Sequence, residues 1–359
     1  MNQSGVETGP DPDSLSYEID IEHPSVHANG DIGYGSTRPN GDYSKMTFYR
    51  SRSPNGFAPE LHPEPDGGPS LKLAVARDAY LDATDGDYER CDRCELRDPK
   101  IKLGSPVWYS FEMRADPNFP VVEARCVCAQ IKAPYYDRNG GSPLFALRID
   151  RGRYFATIEH MYEIKDTSII DGAEVSWHVR PYDGTNSGAS GVRAFDHHAF
   201  GNTARDLKEL QVRAVLATDT RGLPAHLEDD FRSVTDLVKV KNFQSLPNDI
   251  HKWRRFRLCV APTNIKDKDG ILQLWVGDPS SERDELVATA VGEFGHRGYP
   301  EEEGNDGPLP DEAHQYFKIG PYRDKIRIWD DKPAAICVRN IKRGGWAEGA
   351  RLRDALPNV

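Results

Sequence analysis

Hydrophobic residues in this chain occur in short runs that are separated by glycine, proline and polar residues. The runs have the length and composition of β-strands, and long stretches with helical periodicity are scarce. The best helix candidates, Ala204–Leu210 and Val234–Val240, are both short. Many short strands with turn signals between them predict an all-β antiparallel sandwich or jelly roll. The clearest predicted strands are Val107–Met113, Ala124–Ile131, Leu144–Ile149, Leu210–Ala217, Phe256–Val260, Ile271–Val276 and Ile336–Ile341.

Three long polar segments interrupt this pattern and are predicted to be loops. They are rich in glycine, proline, serine or acidic residues and comprise Asp31–Pro69, Asp166–Asn202 and Gly295–Pro310. Long loops at the edge of a sandwich commonly shape a binding cleft. The chain shows no internal repeat, so we expect one domain over residues 17–359, preceded by a flexible tail at residues 1–16.

The composition fits a folded core with a strongly hydrated surface. Of the 359 residues, 38% are hydrophobic and 29% are charged, and the formal net charge is −11. No apolar run approaches the length of a membrane span, and the acidic balance argues against non-specific nucleic-acid binding. We therefore expect neither a membrane nor a nucleic acid as partner. Met1–Ser16 lacks the basic and apolar segments of a signal peptide, so either the protein is not exported by that route or its leader has been replaced.

The six cysteines and the acidic segments are the candidate metal ligands of the chain. Cys91 and Cys94 have the spacing of a zinc or redox motif, but Cys126 and Cys128 have an unusual spacing for the second half of a zinc site. We favour buried thiols, with room for one disulfide, over zinc. A structural Ca²⁺ is compatible with the acidic segment Glu301–Asp306 or with an acidic first strand, although neither has EF-hand-like spacing.

Three predicted strands each place polar groups on a single face, because side chains along a strand alternate between faces. Apolar neighbours such as Phe317 and Ile319 point the other way, towards a core. Each polar face taken alone also fits a solvated sheet surface whose ion pairs contribute little stability. The three faces consist of Arg93, Glu95 and Arg97, then Gln130 and Lys132, and finally Tyr316, Lys318 and Tyr322.

Together these groups are suited to β-elimination from a uronic acid glycoside. The C5 proton beside the sugar carboxylate is weakly acidic, and neutralising that carboxylate stabilises the enolate-like intermediate. A base then removes the C5 proton, and an acid protonates the leaving oxygen at C4. A guanidinium is suited to gripping the carboxylate, and a tyrosine surrounded by cations can act as the base, the acid or both.

The same three stretches resemble the signature of jelly-roll polysaccharide lyases. Alginate lyases of that group carry R-S/T-E-L-R, Q-I-H and Y-F-K-A-G-x-Y in this order, and the chain has related sequences at 93–97, 130–132 and 316–322. A heparin lyase I-like and glucuronan lyase-like group is similar more broadly, through Trp108-Tyr109, Lys252-Trp253, Gly270–Trp275 and Lys318–Arg323. The resemblance spans roughly residues 70–345.

The resemblance implies a concanavalin-like β-jelly-roll sandwich of two antiparallel sheets with long cleft loops. It implies a lyase that needs no cofactor, acts on an anionic polysaccharide such as alginate or glucuronan, and is secreted or periplasmic. Arg93 and Gln130 would neutralise the carboxylate, and Tyr322 would be the catalytic acid, with Lys318 supporting it. Residues expected to organise the patch or bind substrate are Glu95, Arg97, Tyr316 and Arg323.

Position 132 departs from the family pattern, because Lys132 stands where the family usually has histidine. A lysine repelled by nearby cations can lose its proton and act as a base. The interpretation that we favour keeps Lys132 charged beside the substrate carboxylate and makes Tyr322 both base and acid, which requires syn elimination. An imidazole could alternatively come from His197 or His198 in a polar loop, and His160 is a weaker candidate.

Two other functions remain open on the sequence. Glu18, Asp20 and Glu22 share a strand face and resemble the active strand of laminarinase-like β-glucanases, which are retaining glycosidases with two catalytic carboxylates. Their position directly after the polar tail counts against this hypothesis, since that motif normally lies well inside the domain. A non-catalytic carbohydrate-binding sandwich is the other alternative, with the six tryptophans as candidate sugar-stacking platforms.

Overall fold

In the computed structural model, most of the described residues form β-structure. The described residues are 16–26, 32–37, 43–50, 59–66, 68–75, 91–102, 104–122, 126–132, 143–163, 166–170, 173–177, 209–225, 238–262, 270–292, 295–296, 314–324, 333–347, 349 and 351–352. Within these ranges, no helix has the length and hydropathy needed to traverse a membrane. Residues 1–15, which make up nearly all of the predicted tail, lie outside them.

The described residues contain 21 strands. In order they are β1 (Ser16–Val26), β2 (Ile32–Thr37), β3 (Tyr43–Arg50), β4 (Glu60–Pro63), β5 (Pro69–Val75), β6 (Cys91–Arg97), β7 (Ile101–Lys102), β8 (Val107–Ala115), β9 (Cys126–Lys132), β10 (Pro143–Asp150), β11 (Arg153–Glu163), β12 (Asp166–Ile170), β13 (Ala173–Trp177), β14 (Glu209–Thr218), β15 (Val238–Asn242), β16 (Arg254–Ala261), β17 (Gly270–Gly277), β18 (Asp284–Gly292), β19 (Gly295–His296), β20 (His314–Asp324) and β21 (Ala334–Gly345).

The antiparallel pairings arrange most of these strands as two sheets. The front sheet has the spatial order β2-β3-β6-β20-β9-β10-β11-β14. The back sheet has the order β4-β5-β21-β8-β16-β17-β18-β15. Strand β1 pairs with β2 and β21 and so connects the two sheets. This is the β-jelly-roll sandwich that the sequence predicts.

The core lies between the inner faces of the two sheets. Its centre is a group of aromatic rings in which Tyr109 of β8 stacks on Phe317 of β20 with centroids 4.5 Å apart. Phe111 contacts Phe317 at 5.5 Å and Phe256 of β16 at 5.6 Å. Phe317 is therefore anchored by the back sheet, which fixes the depth and orientation of β20 in the front sheet.

The seven clearest predicted strands are confirmed, each lying on one observed strand. The predicted loops were partly wrong, because Asp31–Pro69 contains β2, β3 and β4, and Asp166–Asn202 contains the β12–β13 hairpin. The helix candidates were also wrong where the structure describes them, since Leu210 lies in β14 and Val238–Val240 in β15. Sheet pairing overrides local helical periodicity in such short segments.

Candidate active site

Three adjacent strands in the middle of the front sheet bring the predicted polar groups together. Strand β20 lies between β6 and β9, so Lys318 is paired with Arg97 on one side and with Gln130 on the other. Tyr322 is likewise paired with Arg93. The polar side chains alternate with core residues such as Leu96 and Ile131, so they share the face that points away from the core.

Gly320 allows β20 to lie this close to β6. Its φ of +138° lies in a region that favours glycine. A Cβ at this position would overlap the carbonyl oxygen of Cys94 and come within 2.8 Å of the Glu95 Cα. The register between β20 and β9 also shifts between Ile319 and Tyr322, while the register with β6 is regular. Tyr322 therefore stays on the same face as Lys318.

Glu95 is the buried centre of the group. It is 1% exposed, as is Gln130, and Lys318 is 4% exposed. Lys318 Nζ donates to Glu95 Oε2 at 3.1 Å, and Gln130 Nε2 donates to Glu95 Oε1. Each carboxylate oxygen thus has a donor from a neighbouring strand, as a buried charge requires. Glu95 ties together β6, β20 and β9 and fixes the two side chains that flank it.

Aromatic rings and guanidiniums surround this centre. The Arg93 Cζ lies 4.8 Å from the centroid of the Tyr322 ring, and the Arg97 Cζ lies 5.8 Å from that of Tyr316. Lys318 Nζ is 5.9 Å from the Tyr316 centroid. Lys132 is the cross-strand neighbour of Tyr316 and is partly exposed. Arg93, Arg97 and Lys318 surround one carboxylate, so the group carries a net positive charge.

Burial governs the electrostatics of Lys318. Desolvation is the largest influence and lowers the pKa of Lys318 below its usual value, because a charged ammonium is less stable away from water. The Glu95 carboxylate opposes this effect, whereas the Arg93 and Arg97 guanidiniums add to it. The pKa of Lys318 is lowered on balance, so its charge is easier to remove than that of a surface lysine.

Several predicted residues are not part of this group. Arg323 is 1% exposed, and its register partner on β9 is the core residue Cys126, so it lies on the face opposite to Tyr322. This placement removes it from the surface that the resemblance assigned to substrate. His197 and His198 lie outside the described residues. His160 lies in β11.

The three carboxylates of the glycosidase hypothesis lie elsewhere in the sandwich. Glu18, Asp20 and Glu22 are on the exposed face of β1, as the alternation predicts. Glu18 pairs with Lys342 of β21 at 3.1 Å, and Asp20 contacts His23 at 2.9 Å. In the strand order, β2 and β3 separate these carboxylates on β1 from Arg93 on β6.

Most described tryptophans are held inside the fold. Trp108, Trp275 and Trp346 form a buried apolar cluster and are core residues. Trp253 lies between two guanidiniums, with Arg114 Cζ 5.3 Å and Arg339 Cζ 4.4 Å from its centroid. All four rings are therefore occupied by contacts within the protein, and these contacts do not support the hypothesis that the rings stack on sugars.

Five cysteines whose side chains the structure describes are buried thiols that form no disulfide. They are Cys94, Cys126, Cys128, Cys259 and Cys337. Burial raises the pKa of the Cys128 and Cys337 thiols above their usual value, which makes them less reactive. In the described part of the chain, no three side chains of histidine, cysteine, aspartate or glutamate are grouped to hold a metal ion.

One cation on the same face was missed by the sequence analysis. Arg148 of β10 is paired with Val127, which is also the partner of Tyr322, and its Nε donates to Thr157 Oγ1 at 3.2 Å. The signal was available, because Phe145, Leu147 and Ile149 alternate with Ala146, Arg148 and Asp150. The sequence analysis gave Leu144–Ile149 only as a predicted strand and did not consider which of its residues share a face.

No protein-family model matches the sequence, and no curated protein matches it. Similar solved structures include the endo-β-1,4-glucuronan lyase of the fungus Trichoderma reesei, at 12% identity and a TM-score of 0.39 over 83% of this chain and 94% of that one. A marine alginate lyase from Aplysia kurodai has 9% identity and a TM-score of 0.39 over 80% and 87%. The binding domain of botulinum neurotoxin DC has 8% identity and a TM-score of 0.36 over 95% and 50%. Similarities of this size identify neither a family nor a substrate for this chain.

Proposed function

We propose that the protein is a polysaccharide lyase that cleaves a uronic-acid-containing polymer by β-elimination. One observation carries the proposal: Arg93, Arg97, Lys318 and Tyr322 surround the buried Glu95 on one face of the front sheet. A cationic surface of this kind attracts a polyanion even though the whole chain is acidic. A phenol beside the cations supplies the proton-transfer group that the elimination requires.

In the proposed reaction, the substrate carboxylate lies against the cationic side chains. Arg93, Lys132 and Lys318 neutralise it, and Glu95 holds Lys318 and Gln130 in position beneath it. Charge that develops on the carboxylate during proton removal is then stabilised by groups that are already oriented. The positive charge of Arg93 near the Tyr322 ring also stabilises a phenolate.

Tyr322 performs both proton transfers in this mechanism. The phenolate oxygen removes the C5 proton, the electron pair of the C–H bond forms the C4=C5 double bond, and the C4–O bond breaks. The phenol then gives the same proton to the leaving oxygen, which restores the phenolate and balances the reaction. Use of one group for both steps requires the C5 proton and the C4 oxygen to lie on the same side of the sugar.

The direct test is ultraviolet absorbance during incubation with separate polyuronates. The panel contains alginate blocks, glucuronan, heparin-type chains and hyaluronan-type chains, and a reduced neutral β-glucan is the control. An increase in absorbance from the conjugated double bond on one polymer supports the lyase and names its substrate. New reducing ends without that absorbance would show hydrolysis and contradict the proposal, as would the absence of cleavage across the panel.

A further inference from the structure

The strand that carries Lys318 continues to a short partner strand with an exposed lysine. Strand β7 follows β6 along the chain and pairs with the beginning of β20, where Lys102 is the partner of His314. His314 and Lys318 are four residues apart, so the Lys102 position is displaced about 13 Å from Lys318 along the strand direction. Lys102 and its neighbour Lys100 are both exposed. Positive charge therefore extends beyond the candidate active site.

Lys102 lies on the same face of the sheet as the candidate active site. Side chains alternate between faces along a strand, and the preceding residue, Ile101, packs against the core. The partner of Ile101 on β20 is Gln315, which is 0% exposed. Lys102 is therefore on the outward face, which is also the face of Lys318.

The turn that follows β7 is fixed to β20 by hydrogen bonds. Gln315 Oε1 accepts from the Gly104 backbone N–H at 3.3 Å, and Gln315 Nε2 donates to the Ser105 carbonyl oxygen at 3.0 Å. The Ser105 N–H also donates to the Lys102 carbonyl oxygen at 3.2 Å. The backbone that carries Lys102 is thus held in place before a ligand binds, which reduces the ordering cost of binding.

Cationic side chains that reach solvent flank β20 from Tyr322 to the start of the strand. In order along the strand they are Arg93, Arg97, Lys132 and Lys102. The backbone from Tyr322 to His314 spans about 27 Å, which is the length of several sugar units. Among the residues that the structure describes, none forms an ion pair with Lys102. Its charge is therefore available to an anionic ligand.

We infer that the polyuronate lies along β20, with the sugar that undergoes elimination at Tyr322 and more distant sugars at Lys102 and Lys100. This inference rests on the proposed function. The repeated carboxylates of one polymer meet the flanking cations in turn, whereas a disaccharide bound at Tyr322 is too short to reach Lys102. The two lysines therefore form a distal binding site that selects long anionic chains over short ones.

The test measures the affinity of size-fractionated oligomers of alginate and of glucuronan by calorimetry, with Tyr322→Phe as the background that prevents cleavage. Combining Lys100→Gln with Lys102→Gln is expected to reduce affinity about tenfold, a few-fold for each exposed charge pair. The loss should begin at the length that reaches β7 and leave shorter oligomers unchanged. It should also shrink as salt is added, because exposed charges are screened.

Lys239→Gln combined with Lys241→Gln is the matched control. These two lysines have the same spacing and are exposed, but they lie on β15 in the back sheet, so affinity should change at no length. An equal loss at every length, a loss no larger than that of the control, or no binding of any oligomer would overturn the distal site.

The two proposals fail in different ways. Cleavage of a polyuronate together with an affinity that Lys100→Gln and Lys102→Gln leave unchanged would support the lyase and refute the distal site. A length-dependent loss of affinity, with no cleavage of any polyuronate by the unmodified protein, would support the distal site and contradict the lyase.

Discussion

Tyr322 is the side chain on which the proposed chemistry depends most directly. Tyr322→Phe removes one hydroxyl and keeps the ring against Arg93, so polymer binding should persist. We expect kcat to fall by about 10²–10⁴-fold, the usual contribution of a general acid–base group. Initial rates on the cleaved polyuronate measure the effect. Tyr154→Phe is the matched control, since its hydroxyl contacts the Ile250 carbonyl in the core, and equal losses in both variants would contradict the assignment.

We expect Lys318 to determine how kcat/KM decreases at alkaline pH. Its pKa is lowered mainly by burial, so the ammonium is lost at a pH below the ordinary lysine range. Because the charged form neutralises the substrate, kcat/KM should decrease as the pH rises through that lowered pKa. Lys318→Arg keeps its charge over this range, so its decrease should begin at a higher pH. An identical alkaline limb in the two proteins would exclude Lys318 as its source.

Glu95 should contribute strongly to stability because it is a buried charge that holds two partners. Glu95→Gln leaves Lys318 as a buried ammonium without its carboxylate, which is expected to lower the free energy of unfolding by about 3–5 kcal/mol. Denaturant titration gives the value. Combining Glu95→Gln with Lys318→Met removes both charges and should recover a large part of the loss. Additive losses in the double variant would show that the two charges do not interact.

At the scale of elements, the close approach of β20 to β6 depends on Gly320. Gly320→Ala adds a methyl group against the Cys94 carbonyl and strains a backbone with positive φ, so unfolding free energy should drop by roughly 3 kcal/mol. Gly222→Ala is the control, because Gly222 also has positive φ (+75°) but has no atom within 4 Å of the added Cβ. Gly222→Ala should lower the free energy of unfolding by about 1 kcal/mol, because it introduces backbone strain without a steric contact. Equal costs would mean that the contact with β6 is unimportant.

Strand prediction succeeded where one face of the strand meets the core. The run Val107–Met113 and its six counterparts are apolar enough to be recognised without knowing their partners. Strands β2 (Ile32–Thr37) and β3 (Tyr43–Arg50) fall in a segment predicted to be a loop, because their sequences mix glycine, serine and charged residues. Their pairing with β1 and β6 depends on distant parts of the chain, which local sequence does not contain.

For the candidate site, alternation predicted which side chains share a face but not how deeply they lie. Gln130 and Glu95 were expected at the substrate surface, and each is 1% exposed. Depth depends on what neighbouring strands contribute, such as the amide and ammonium that enclose Glu95. The position of Arg323 could have been predicted, since it follows Tyr322 directly and must point to the other face.

At the scale of the whole molecule, the site strands are neighbours in the middle of the sheet and rest on the shared core through Phe317. The site should therefore be lost only when the sandwich unfolds. We expect enzymatic activity and the strand signal in circular dichroism to decrease with the same denaturant midpoint. Inactivation at a lower denaturant concentration, with the strand signal intact, would show that the site opens independently.

The position of β20 has a consequence for synthesis on the ribosome. Strand β9 ends at residue 132, whereas β20 begins at residue 314 and then enters between β6 and β9. A nascent chain therefore carries two unpaired strand edges while most of the following sequence is still being made. Such edges are prone to pair with other chains. The arrangement makes protection of these edges, by a chaperone or by late collapse of the whole sandwich, a condition for obtaining active protein.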